Sequence, residues 1–197
     1  MDWLPIVAAV FAVPQFLPQI ARVRRTGDVA GVSWTWAALT SVSNAGWIGY
    51  FALSRFWTSL VPAISATVLA GVLAVLLGRR AGVRRRPVAI TAGWAALLAV
   101  AGVVGGRAAL GIALTASFVF QVAPSVWTAY RTARPTGIAR GTWLLILGEL
   151  LCWGIYGPYK ADPRLTVLGW TGVVASLLML ARARKASLAD ASVDALA

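Results

Sequence analysis

Two stretches of this chain carry chemically useful side chains in the same pattern. Glu149, Trp153 and Tyr156 are spaced i, i+4, i+7, as are Ser43, Trp47 and Tyr50, and that spacing puts each set on one face of a helix. Glu149 is the single charge in residues 141–159, near the middle of an apolar run. A charged carboxylate at such a depth in a membrane costs several kcal/mol unless it is paired or wet. It has two functional uses there, as a proton-coupling site or as the seat of a cationic group; a carboxyl hydrogen-bonded to a neighbouring helix is the structural alternative. Trp47 and Trp153, with Asn44 beside them, are expected to face a cavity, since indole rings stack on apolar faces of a ligand and attract cations. Tyr50 and Tyr156 lie nearer one end of their helices, where tyrosine also anchors at the headgroup level.

A second group combines proline with amides. Pro18 and Pro124 each follow a glutamine by three residues, Gln15 and Gln121, and Gln19 follows Pro18 directly. Proline inside a helix frees a carbonyl one turn back and lets the helix bend. The two prolines are expected to act as a hinge or gate, with Gln15, Gln19 and Gln121 keeping the polar groups at the bends satisfied. Pro14 has Phe120 as its counterpart and reads as local shape.

The elements that position these residues are apolar helices. The chain of 197 residues is 59% hydrophobic and only 12% charged, against about 25% charged in soluble domains. Charge-free windows cover residues 3–21, 29–54, 56–78, 87–106, 108–130 and 165–181, and with 141–159 they make seven. A span needs about 17–25 apolar residues, so the expected fold is an all-α membrane protein with seven transmembrane helices. The net charge of +12 punctuates the apolar runs and does not cluster, which argues for a lipid bilayer as partner and against nucleic acid. Fourteen of the 18 basic residues fall in the first, third and fifth gaps and after the last window. The positive-inside rule then puts the N-terminus outside and the C-terminus in the cytoplasm. With 16 Arg against 2 Lys, the composition fits a GC-rich genome and a bacterial plasma membrane.

Shifting the sequence by 106 residues superposes Gln15 on Gln121, Pro18 on Pro124, Arg25 on Arg131, Gly31 on Gly137, Trp47 on Trp153 and Tyr50 on Tyr156, without a gap. Both copies begin with a window running in the same direction, so two parallel three-helix bundles joined by a linker helix (3+1+3) are expected. Their bounds are 1–80 for the first repeat, 81–107 for the linker, 108–182 for the second repeat and 183–197 for a short cytoplasmic tail. In that plan a binding site lies between the repeats near mid-membrane.

Pro18-Gln19, the arginines after it and Gly31-Val32-Ser33 resemble the PQ-loop signature. Pro124-Ser125 through Gly137-Ile138-Ala139 is a similar, degenerate second copy, and "LCWGIYGPYKADP" (151–163) looks like the second repeat of the SWEET (MtN3/saliva) family. The resemblance spans nearly the whole chain. It implies a full-length seven-helix bacterial transporter, moving a small polar solute, a sugar above all, by alternating access. It implies that Trp47 and Trp153 touch the substrate and that the helices carrying Pro18 and Pro124 bend as the gate moves. The family carries an asparagine in the third and seventh helices. Here "SLVPAISATV" (59–68) and "RLTVLGWTGV" (164–173) have none, and Ser65 and Thr171 are the hydrogen-bonding candidates in its place.

The expected substrate-contacting set is therefore Trp47, Trp153, Asn44, Glu149, Ser43, Ser65 and Thr171. Two other readings stay open: a proton-coupled amino-acid carrier of the cystine or cationic amino-acid kind, which Glu149 favours, and a seven-helix receptor that binds without moving its ligand. With no His, one Cys and no cluster of acids, the sequence gives no ground for an enzyme, a metal site or a cofactor. The seventh window has no lysine for retinal. One chain carries both repeats, and a homo-oligomer is compatible with this.

Overall fold

Proline placement decides where the first helix stops. The computed structural model describes residue 1 and residues 3–194, with side chains through Arg184. Helix α1 is Leu4–Ala12 and α2 is Leu17–Thr26. Pro14 has no N–H for the carbonyl of Val10, and its ring crowds that carbonyl, so the chain turns over residues 13–16. Pro18 falls in the first turn of α2, where a missing N–H is no loss. The Val13 carbonyl at the break accepts from Ser65 Oγ at 3.1 Å. In the second half Pro124 sits inside a helix that continues past it, and Phe120 stands where the first half has Pro14. The break therefore goes with Pro14, which the second half lacks.

Helix α2 ends on Gly27 at φ 69°, the left-handed cap that glycine adopts without strain. Ser33 opens α3, Trp34–Leu53, its hydroxyl accepting from the Trp36 N–H at 3.2 Å. A 3-10 turn, Trp57–Ser59, leads into α4, Leu60–Ala81. Helix α6, Arg140–Tyr159, is α3 displaced by 106 residues at both ends. Helix α7, Pro163–Asp194, continues as helix into the segment expected as a tail; residues 195–197 of that tail lie outside the described residues. No strand occurs among the described residues.

Between α4 and α6 lies α5, Arg85–Arg131, helical except at Gly106, with φ 57° and ψ −151°. Only glycine takes that backbone conformation readily. The chain doubles back there. A Cβ on Gly46 would meet both Leu98 and Leu114, and one on Gly102 would meet Leu110. Those leucines and Gly102 pair evenly about residue 106, as in a hairpin of two antiparallel helices.

Six segments close a ring. Helix α1 touches α4, α4 touches α3, α3 touches α5, α5 touches α7, α7 touches α6, and α6 returns to α1. The 107–131 half of α5 is the ring member, bonded to α3 through Gln121 and to α7 through Ser125 and Tyr130. The 85–105 half packs outside, against the back of α3, through Trp94 and Leu98. Helices α3 and α6 run the same way: Trp36 stacks on Trp143 near the starts of both, and Phe51 on Trp153 toward their ends.

The surface is apolar and the interior holds the polar groups. Val103, Val104, Phe120, Val10 and Ile112 are all exposed, while Gln15, Gln19, Gln121, Ser43 and Thr142 are buried. Four stretches are long and apolar enough to cross a membrane: Leu4–Thr26, Trp57–Ala81, Arg85–Arg131 and Pro163–Arg184. The third has 47 residues, about 70 Å as a straight helix and more than twice a ~30 Å hydrocarbon core, so the hairpin matters to how it could be accommodated. Helices α3 and α6 fall short of that hydropathy because they carry Ser41, Ser43, Asn44, Glu149 and several indoles.

Helices α6 and α7 meet glycine on glycine. A methyl at Gly169 would overlap the Gly154 backbone, while one at Gly93 would meet nothing within 4 Å. Small residues allow such close packing in apolar surroundings. Gly169→Val is expected to cost at least the ~1–3 kcal/mol of overpacking, read as a lowered midpoint of thermal unfolding in detergent, and Gly93→Ala is expected to leave the midpoint unchanged or slightly raised, since alanine is the better helix former.

Candidate functional site: a cavity inside the helix ring

The turn after α1 and the other five ring segments contribute to a central cavity of about 70 Å³. That is room for roughly two waters. On α3 the wall is Trp36, Thr40, Asn44, Trp47 and Phe51, and on α6 it is Trp143, Ile146, Glu149, Leu150 and Trp153. The α3 set recurs every three to four residues, so it is one helical stripe. Gln15 comes from the turn after α1, Gln121 from α5, and Ser176 from α7. Seven of the lining side chains are aromatic.

Glu149 is half-buried, with its carboxylate at the cavity wall. It accepts from Trp153 Nε1–H at 3.1 Å and is hydrogen-bonded by the Gln15 amide. Gln121 makes the matching reach from the other half: its NH2 donates to Thr40 Oγ1 at 3.0 Å. Each glutamine thus bridges from the first helix of one repeat to the second helix of the other. Asn44 donates its NH2 to the Thr40 carbonyl one turn back at 2.9 Å. The Ser176 hydroxyl is buried without a hydrogen-bond partner.

Aromatic layers and polar contacts join the two repeats above and below the cavity. Toward the ends of α3 and α6, Trp47, Phe51 and Trp153 form a stack with centroid separations of 5.4 and 5.8 Å. Beside it Tyr50 OH donates to Asp162 Oδ2 at 2.7 Å and accepts from Arg164 Nη1 at 3.2 Å. Asp162 Oδ1 also accepts from the Arg164 backbone N–H at 2.9 Å. At the other end Phe16 leans on Trp36, and Trp36 stacks on Trp143 at 5.1 Å. Below that layer the Gln19 amide holds the chain of the second repeat, its NH2 donating to Gly137 O and its Oε1 accepting from Ala139 N–H, both at 2.9 Å. The Gln19 backbone N–H donates to Thr142 Oγ1 at 3.0 Å, and Arg22 donates to Thr136 O.

Of the residues expected from sequence, Trp47, Trp153, Asn44 and Glu149 line the cavity together, and so do Gln15 and Gln121. Ser43, Ser65 and Thr171 are not on its wall. Ser43 is buried against the outer half of α5, where it accepts from Trp94 Nε1–H at 3.1 Å. Ser65 serves the break after α1. Pro18, Pro124 and Gln19 also lie off the wall, with Gln19 at the inter-repeat contact below it. Trp36, Trp143, Thr40 and Ser176 were not expected. For Trp36 and Thr40 the signal is the stripe at 36, 40, 44, 47 and 51; a search for matched pairs passes over Trp36 and Trp143 because their 106-residue mates are Thr142 and Ala37.

No family model matches this chain, and no characterised protein is similar enough in sequence to serve as a relative. Any functional reading therefore rests on the cavity.

Replacing Gln19 tests the lower contact. Gln19→Leu leaves Gly137 O and Ala139 N–H buried without partners, at about 1–3 kcal/mol for each orphaned group. A clear drop in the unfolding midpoint is expected, with Gln19→Glu intermediate because it keeps the acceptor for Ala139 N–H.

Proposed function

We propose that this protein is a membrane carrier that passes a small polar solute through the central cavity by alternating access. The observation that carries this reading is the position of the cavity: a partly polar, aromatic-walled space on the seam between two repeats, with side-chain contacts between the repeats at both ends. In this reading seven helices cross the membrane. The α1–α2 unit, α3 and α4 form one bundle, the 107–131 half of α5, α6 and α7 form the other, and the 85–105 half is the linker. The excess of basic residues in the odd gaps supports an outside N-terminus and a cytoplasmic C-terminus, in a bacterial plasma membrane.

At about 70 Å³ the cavity is well below the ~300 Å³ of ordinary ligand sites. A solute the size of a sugar enters only if the walls part. The end contacts are suited to that, because aromatic stacks and side-chain hydrogen bonds separate without unfolding a helix. Tyr50–Asp162–Arg164 would open one end, and Gln19 with Trp36–Trp143 the other. The break at residues 13–16 supplies a place for the first helix to flex; Pro124 supplies a weaker one.

The resemblance to the PQ-loop and SWEET proteins supports a sugar as the solute, as do the indoles of Trp47 and Trp153. With a sugar the Glu149 carboxylate would accept hydrogen bonds from hydroxyls, and its charge would go unbalanced. A proton-coupled amino-acid carrier would use it, and a receptor would bind at the same wall without flux.

In liposomes the purified protein is expected to exchange labelled solute in a counterflow assay. Trp47→Ala and Trp153→Ala should lower the exchange by about tenfold or more, the equivalent of ~1.4 kcal/mol of binding. Trp3→Ala, at an exposed position, should not. Saturable binding with no counterflow for any sugar, amine or amino acid would replace the carrier by a receptor. Protease added to intact cells should reach a tag at the N-terminus, and should reach one at the C-terminus only after permeabilisation.

A further inference from the structure

We infer that the solute is a small organic cation, an alkylammonium with little or no negative charge of its own; this rests on the carrier reading above. The fixed charges around the cavity are unbalanced. Glu149 contributes a carboxylate, and none of the residues lining the cavity is basic. Its two protein partners, the Trp153 indole N–H and the Gln15 amide, are neutral. A carboxylate offers about four lone-pair sites, so those two donors leave room for further hydrogen bonds from a ligand.

The neutral polar groups point to the same chemistry. Asn44 and Gln121, both on the wall, each use the amide NH2 on a protein acceptor. An ammonium is a donor with no acceptor capacity, and it matches a wall that carries a carboxylate and two amides whose NH2 groups already serve the protein. The aromatic rings add the other half of such a site, since indole faces attract alkylammonium groups at separations within about 6 Å. A carboxylate and indoles without an opposing cation form a seat for positive charge.

The same inventory argues against the alternatives. An amino acid would bring its own carboxylate into a site with no Lys, Arg or His to receive it. A neutral sugar would stack on the rings and donate its hydroxyls to Glu149, but it would bring no charge to balance the carboxylate. A bare metal ion would find one carboxylate where several hard oxygen ligands are wanted, and no metal-binding group of acids, Cys or His occurs among the described residues.

The test uses the full chain, first in detergent by titration calorimetry and then in phosphatidylcholine liposomes by counterflow, with choline, ethanolamine, glucose and alanine as probes. Choline or ethanolamine is expected to bind, to exchange, and to remain largely uncompeted by glucose or alanine. Glu149→Gln is expected to weaken the cation at least about tenfold while Glu149→Asp retains part of the binding, with unfolding midpoints checked for each. The competition series on the unaltered protein decides the matter even if Glu149→Gln fails to fold. Glucose or alanine exchanging, with neither cation binding or competing, overturns the cationic class and leaves the carrier standing. A cation that binds through Glu149 without exchanging keeps the class and overturns the carrier. No cation binding by either method overturns the inference outright.

Discussion

Side-chain amides reach across the buried seam between the two halves of this protein. In apolar surroundings a polar group without a partner is costly, and each of the three buried glutamines answers this by reaching across the seam. Gln15 goes to Glu149, Gln121 to Thr40, and Gln19 to the chain at 137–139. Apolar contact does little to bring helices together when the surrounding lipid is equally apolar. Close packing and these few hydrogen bonds therefore decide how the halves sit. The ring of helices, the size of the cavity and the placement of the aromatic layers all follow from that seam.

The glutamines divide the work by level. Gln15 and Gln121 are repeat mates and lie at the cavity, where their bonds can be exchanged for bonds to a ligand. Gln19 lies below, bonded to backbone groups that have no ligand to turn to, and its mate Ser125 faces Met179. One end of the cavity is thus held by an amide clamp from the first repeat. The other is held by Tyr50 from the first repeat with Asp162 and Arg164 from the second. The mates of Asp162 and Arg164 are Phe56 and Thr58, so neither clamp is duplicated.

Much of this was legible from composition and spacing. The all-helical character, the 106-residue repeat and the cavity positions of Trp47, Trp153, Asn44 and Glu149 come from apolar windows and helical periodicity, both local properties. What was not legible depends on which neighbour covers which face. Ser43 is the mate of Glu149, yet the linker half of α5 covers its side of α3 while α1 covers the Glu149 side of α6. Ser65 looks like a cavity donor until the break after α1 supplies a carbonyl for it. That break goes with Pro14, the proline without a mate in the other repeat, and a reading built on the paired prolines passes over it. Trp36 and Trp143 stack although they stand 107 residues apart, one more than the repeat, and alignment of like with like conceals such a pair.

The mismatch of Glu149 with Ser43 bears on why the two halves are fused. Two identical half-length chains pairing about an axis would place every side chain near that axis twice. A carboxylate at this position would then arrive as a pair, and two like charges at close range oppose each other's ionisation. A tandem chain escapes that rule, because each half can be altered alone. It can put a solitary charge beside a near-axial chamber and leave a hydroxyl at the related place, giving the chamber a polarity that no dimer of equals can have.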